Sequence, residues 1–132
     1  MTEFVVRMDN RPGRLASLAE VLAAAGVNIE ALTAFGFDGE GLIRIIVDDA
    51  DGARRALDNA GVAAEEFQVL KAVVPNSPGE LASIARSLAT ANINIDAVYT
   101  LHSTPAETEL AIVVDEPDAA LPYLPVQGSL KR

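Results

Sequence analysis

Two short segments carry residue types suited to holding a small charged molecule: Asn10-Arg11-Pro12-Gly13-Arg14-Leu15 and Asn76-Ser77-Pro78-Gly79-Glu80-Leu81. Each joins an Asn amide, which both donates and accepts, to a Pro-Gly turn that precedes an apolar stripe at helical spacing. A helix opening at such a turn presents unpaired backbone N–H groups and the positive end of its dipole, a setting that favours a carboxylate. Glycine at the turn lets a ligand come close to the backbone. This is chemistry of recognition rather than of bond breaking. The chain has no Cys and one His, so thiol nucleophiles, disulfides and thiolate metal sites are excluded. There is no serine in a nucleophile elbow and no phosphate-binding G-x-x-x-x-G-K-[ST]. An enzyme is not expected, nor is a cofactor.

The two segments belong to a duplication. A shift of 66 residues lays Asn10–Ala31 over Asn76–Ala97 without a gap, with 13 of 22 positions identical. A repeat of this length implies two copies of one structural unit, divided here as 1–66 and 67–132. In the first, Glu3–Met8 reads as a buried strand. Pro12 suits the first turn of a helix, Leu15, Leu18, Ala19 and Leu22 form its stripe, and Gly26 ends it, with Asn92 as its counterpart. Asn28–Phe37 alternates as a strand with one covered face. Asp38-Gly39-Glu40-Gly41 is a hairpin turn, Leu42–Val47 a third strand, and Ala50, Ala53, Leu57 and Ala60 a second helix stopped by Gly61. The second unit repeats the plan with strands at Lys71–Val74, Asn94–His102 and Glu109–Val114 and a helix over Pro78–Ala91. Pro117, Pro122 and Pro125 then restrict any second helix to about two turns around Asp118–Leu121, and Val126–Arg132 is a weak strand candidate. The order is that of the α+β, ferredoxin-like βαββαβ arrangement, an antiparallel sheet with helices on one face, the second copy truncated at its C-terminus. Phe67–Val74 is asked to close the first sheet and open the second. Either one continuous strand serves both, or the tail completes one of them.

The N-x-P-G-x-L-A pattern, followed one helix later by Asn28-Ile29 or Asn94-Ile95, resembles the ACT domain, and two copies in register make the resemblance specific. It covers most of the chain and weakens after Asp115. It implies two modules side by side, related by a pseudo-two-fold, with their strands in one roughly eight-stranded antiparallel sheet. It also implies a regulatory role in which a small ligand, usually an amino acid, binds at the seam of the modules. Carried over, one site takes Asn10, Arg11, Pro12, Gly13, Arg14 and Leu15 with Asn94 and Ile95. The other takes Asn76, Ser77, Pro78, Gly79, Glu80 and Leu81 with Asn28 and Ile29. The partner implied is an enzyme or regulator of amino-acid metabolism.

Composition sets the remaining bounds. Half of the residues are hydrophobic and only 5% are aromatic, so the core is aliphatic. A formal net charge of −9, with Lys and Arg few and scattered, argues against nucleic acid as a partner. No apolar run approaches the roughly 20 residues of a membrane span and no signal-peptide pattern opens the chain, so a cytoplasmic location is expected. Exposed sheet edges invite homodimerisation. Plainer readings stand beside these. Asn28 and Asn94 could simply cap a turn, Asp9 could meet a ligand amine or only hold its loop, and the acidic run Asp48-Asp49-Ala50-Asp51 reads as helix-start charge rather than a metal site. His102 reads as structural or solvated and Tyr99 as packing. Two rival functions are a ligand-free interaction module and an acylphosphatase-like enzyme.

The loops differ in charge. Ser77 and Glu80 read as a capping box that satisfies the second helix's own donors, whereas Arg11 and Arg14 cannot cap and add positive charge. The first loop is therefore expected to be the better anion receptor. Titration with the preferred ligand should show a larger loss of affinity for Arg14→Glu than for Glu80→Arg; the reverse order would contradict the assignment.

Overall fold

Aliphatic strands and amphipathic helices alternate along the chain as the repeat demands, and the computed structural model describes residues 1–125. The weak strand candidate Val126–Arg132 lies outside them. The chain forms two compact units, the first Met1–Phe67 and the second beginning at Gln68. Unit one contains β1 (Thr2–Asp9), α1 (Arg14–Ala24), β2 (Ile29–Phe37), β3 (Glu40–Val47), α2 (Ala50–Asn59) and β4 (Glu65–Gln68, its last residue already in unit two). Unit two contains β5 (Leu70–Pro75), α3 (Glu80–Thr90), β6 (Ile95–Ser103), β7 (Glu107–Val114) and the single turn α4 (Pro117–Ala120), which passes into a 3-10 turn at Leu121–Tyr123. The strands form a four-stranded sheet in the order β2-β3-β1-β4 and a three-stranded sheet in the order β5-β7-β6, where the resemblance implies one sheet of roughly eight. The extended run around Phe67–Val74 yields two strands separated by Val69, β4 for the first sheet and β5 for the second.

Each unit buries one aliphatic core between its sheet and its helices. In unit one, Phe4, Val6, Ile43, Ile45 and Val47 on the sheet meet Leu18 and Leu22 of α1 and Ala53 and Leu57 of α2. In unit two, Leu70, Ala72, Val74, Leu110, Ile112 and Val114 meet Ile84 and Leu88 of α3, with Ala120 of α4 completing the cluster. The outer half of β2 departs from the expected covered face. β2 is an edge strand, and Phe35 and Phe37 are 54% and 74% exposed. On the other face of the unit-one sheet, the buried Glu3 carboxylate accepts from Arg44 Nε at 2.9 Å and Nη2 at 3.1 Å, a two-point pairing of neighbouring strands.

The connections are fixed by short-range chemistry. Gly26 takes φ 73°, and its N–H and that of Val27 donate to Ala23 and Leu22 carbonyls, a left-handed helix stop followed by an apolar residue returning to the core. Asn92 does the same at φ 61°, with Ile93 donating to Leu88. Asp38 and Gly39, both at positive φ, make the two-residue hairpin between β2 and β3. A second duplicated device joins the loop before β2 to the end of β3. Asp48 accepts from the Asn28 N–H at 2.9 Å while its own N–H donates to the Asn28 carbonyl, and Asp115 repeats both bonds with Asn94.

The helices after β3 and β7 diverge for a visible reason. Asp49 caps α2 by accepting from the Gly52 N–H at 2.9 Å. A Cβ at Gly52 would overlap that carboxylate. At the corresponding place before α4, Glu116 makes no cap hydrogen bond, and prolines follow at 117 and 122. Arg54 then ties α2 to β4, donating to both Glu66 oxygens at 2.7 and 2.6 Å and to Asp51 at 2.7 Å. This hydrogen bonding holds Glu66 below the usual carboxylate range and raises Arg54.

Two outcomes are expected. Asp49→Ala should lower unfolding stability by about 1 kcal/mol, the usual loss of an N-cap, measured by denaturant titration; an unchanged midpoint would remove the cap from the account. Since the folded state lowers the Glu66 pKa, its contribution is present at neutral pH and is lost as acid protonates the carboxylate. Arg54→Gln should therefore raise the Glu66 midpoint in an NMR pH titration, and a midpoint left where it was would contradict this pairing.

Candidate functional site

The turn from β1 into α1 crosses the end of the sheet in four residues, and its geometry decides what is left to bind a ligand. Gly13 is the N-cap of α1 at φ 90°, in the left-handed region, and Gly79 is the N-cap of α3 at φ 91°. The prolines therefore stand ahead of the helices and not at their first position, a correction to the expected opening at Pro12 and Pro78. The glycines carry no side chain to cap with, and neither helix has a side-chain cap hydrogen bond. In the second loop the Ser77 hydroxyl bonds the Glu80 carboxylate at 3.2 Å, side chain to side chain. A capping box needs the Ser at the N-cap and the Glu three residues on; here Glu80 directly follows the N-cap, so the expected capping box does not form.

In unit one the loop borders a pocket of about 240 Å³. Asn10, Arg11, Gly13, Arg14 and Leu15 line it from the loop side. Its floor is Met8, Ala34, Gly36, Gly41 and Ile43 on the helix-facing side of the sheet. The charged rim is partly neutralised, because Arg11 and Arg14 both pair with Asp9, Arg14 at 2.8 Å. Asp9 thus holds the loop, and the positive charge of the two arginines is offset by one carboxylate. All three side chains are well exposed, and exposed pairs of this kind are worth about 0–1 kcal/mol, so a ligand's own charges can replace them. Pro12 borders a second recess, with Arg11, Gly13, Arg14 and Ser17.

The remaining candidates are held by contacts within their own units. Asn28 precedes β2 and Ile29 begins it, about 20 Å of strand from the unit-one pocket at its other end, with Ile29 packed against the unit-one core. Asn94 donates from its amide to Asp96 at 2.8 Å, and Ile95 packs against the unit-two core. The Asn76 amide donates to the Thr104 carbonyl at 2.7 Å, and Leu81 is exposed at the start of α3. His102 is exposed on β6, and Tyr99 is buried. No group of three or more metal-ligating side chains occurs among the described residues, and Asp48, Asp49 and Asp51 are each engaged as described above. No helix among these residues is long and apolar enough to cross a membrane.

Gly36 and Gly41 escaped the sequence reading as site residues. Glycine inside a strand marks a place where something must come close; Gly36 was absorbed in an alternating pattern, and Gly41 in the hairpin.

Comparison with known proteins bears on the fold. The ACT domain family model matches residues 2–59, nearly the whole of unit one. A protein of Bacteroides thetaiotaomicron shares 27% identity and a TM-score of 0.81, over 92% of this chain and 84% of that one. The regulatory subunit of aspartate kinase from Thermus thermophilus, in a ligand-free form, is 18% identical with a TM-score of 0.68, covering 92% and 88% of the two chains. No curated protein matches the sequence. Residues 2–59 are an ACT domain by this match, and the second unit repeats its β2-β3-β1 strand order as β6-β7-β5, without a fourth strand among the described residues.

Proposed function

We propose that this chain is a regulatory amino-acid-binding protein whose receptor is the Asn10–Leu15 loop of unit one. The observation that carries the reading is the pocket between that loop and the sheet, charged at its rim and apolar at its floor. A ligand carboxylate would meet Arg14 and the uncapped opening of α1, where the Leu15 and Ala16 N–H groups add to the dipole. The ammonium group would take Asp9 in exchange for one of its arginines, and the Asn10 amide can serve either end. Met8, Ala34 and Ile43 offer the side chain an aliphatic surface, which favours an apolar amino acid. The size fits: at about 240 Å³ the pocket is smaller than the roughly 300–1,000 Å³ of sites for drug-sized molecules.

The solved relative from Thermus thermophilus is described as a regulatory subunit of aspartate kinase. By extension from the family, this chain would report the ligand to a partner enzyme or regulator of amino-acid metabolism. The strand starts at Asn28-Ile29 and Asn94-Ile95 belong to the reading only through the resemblance. Asn94, with its amide bonded to Asp96, is the weaker donor of the two.

A thermal-shift screen against the twenty amino acids tests this directly. A ligand present at 100 times its dissociation constant should add about 2.7 kcal/mol of stability, seen as a clear rise in Tm for one or a few apolar amino acids and not for the rest. No rise with any of them would favour the ligand-free interaction module instead.

A further inference from the structure

The pocket floor of unit one and the corresponding row of unit two are built from different residues. Most glycines of the chain are explained by backbone conformation, since Gly13, Gly26, Gly39, Gly61 and Gly79 all have φ between 71° and 91°. Gly36 and Gly41 are not among the residues with positive φ, so any L-residue could adopt their backbone. What they supply is space. They are paired with each other across β2 and β3, and Gly41 is paired with Met8 of β1, so the three form one row on the pocket side of the sheet. A Cβ at Gly36 would overlap the Asn10 amide nitrogen, and one at Gly41 would stand 3.3 Å from the Met8 carbonyl oxygen.

The equivalent row in unit two is Ser103, Thr108 and Val74. β6 has a register shift between Thr100 and His102, so by pairing it is Ser103 that stands where Gly36 does. The Ser103 and Thr108 hydroxyls bond each other at 3.0 Å in the row where unit one has Gly36, covered by the Asn10 amide, and Gly41. The Asn76 amide, whose counterpart Asn10 lies over Gly36 in unit one, donates instead to the Thr104 carbonyl. Pro75 stands where Asp9 does and removes the carboxylate that would take an ammonium group.

We infer that the duplication has left one receptor and one filled copy: the chain binds one ligand, in unit one, and the paired glycines Gly36 and Gly41 decide this. The inference rests on the amino-acid reading above and goes beyond it in stoichiometry and in the residues responsible. Unit two keeps the helix opening and the Pro-Gly turn, so those features alone do not make a receptor. Filling the floor removes it.

Isothermal titration of the full chain with L-leucine, L-isoleucine, L-valine and L-methionine, each in turn, is the test. One equivalent per chain is expected from the probe that binds. Gly36→Ala, whose added methyl meets only the end of the Asn10 side chain, should weaken it by at least about ten-fold with an unchanged circular dichroism spectrum. The double change Ser103→Gly with Thr108→Gly should leave that affinity within about two-fold. Two equivalents per chain, or affinity that survives Gly36→Ala and falls with the unit-two change, would overturn the inference while leaving the amino-acid reading in place. No heat from any probe would remove both.

Discussion

A left-handed glycine at the mouth of each long helix is the constraint from which the rest follows. To leave a strand at the sheet's end and enter a helix over the same sheet, the chain reverses within four residues, and Gly13 and Gly79 at φ near 90° make that reversal. An L-side chain is strained there, and the glycine that takes the position has no side chain with which to satisfy the first helical donors, as Ser, Thr, Asp or Asn ordinarily does. The sharp turn and the open donors are thus one fact. Elsewhere in the molecule the opposite solution is taken: Asp49 caps α2 in the usual way, and α2 serves only packing and the ion pair to β4.

Open donors are necessary for a receptor and are not sufficient. Both copies of the unit have them, and both hold the following strand with the same Asn–Asp backbone clasp. The copies separate at the sheet beneath the loop. Two glycines, a methionine and an isoleucine line an aliphatic recess in one, while Ser103 and Thr108, bonded to each other through their hydroxyls, occupy the corresponding row in the other. Duplication supplies a scaffold twice, and side-chain volume at one row of the sheet differentiates the copies. The exposed Arg11–Asp9–Arg14 cluster fits the same view, since pairs of this strength hold a loop without locking it against exchange with a ligand.

Much of the fold was legible because each unit states its periodicities plainly. Alternation in β2, the stripe Leu18–Leu22 and the Gly26 and Asn92 stops are local signals, and the 66-residue repeat let each copy corroborate the other. The residues that fail to fit are those set by long-range geometry. Pro12 reads as a helix opener from local preference, yet the left-handed Gly13 moves the start past it. Ser77 and Glu80 have the spacing of a capping box, but spacing does not reveal that the N-cap lies at Gly79. Asp9 looked ambiguous in one dimension, and only the turn brings Arg11 and Arg14 onto it. The pocket floor was invisible for a similar reason: Met8, Gly36 and Gly41 meet through strand pairing, and the register shift in β6 hides the match between Gly36 and Ser103 behind a one-residue offset.

The most direct test of this account is a residue-resolved map of where an amino acid lands. Backbone amide resonances of the intact chain, followed through titration with an amino acid that stabilises it, should shift most at Arg14, Leu15 and Ala16 and at Gly36 and Gly41, with Glu80, Leu81 and Ala82 nearly still. Equal movement at the two helix openings, or saturable shifts that avoid the first, would contradict it.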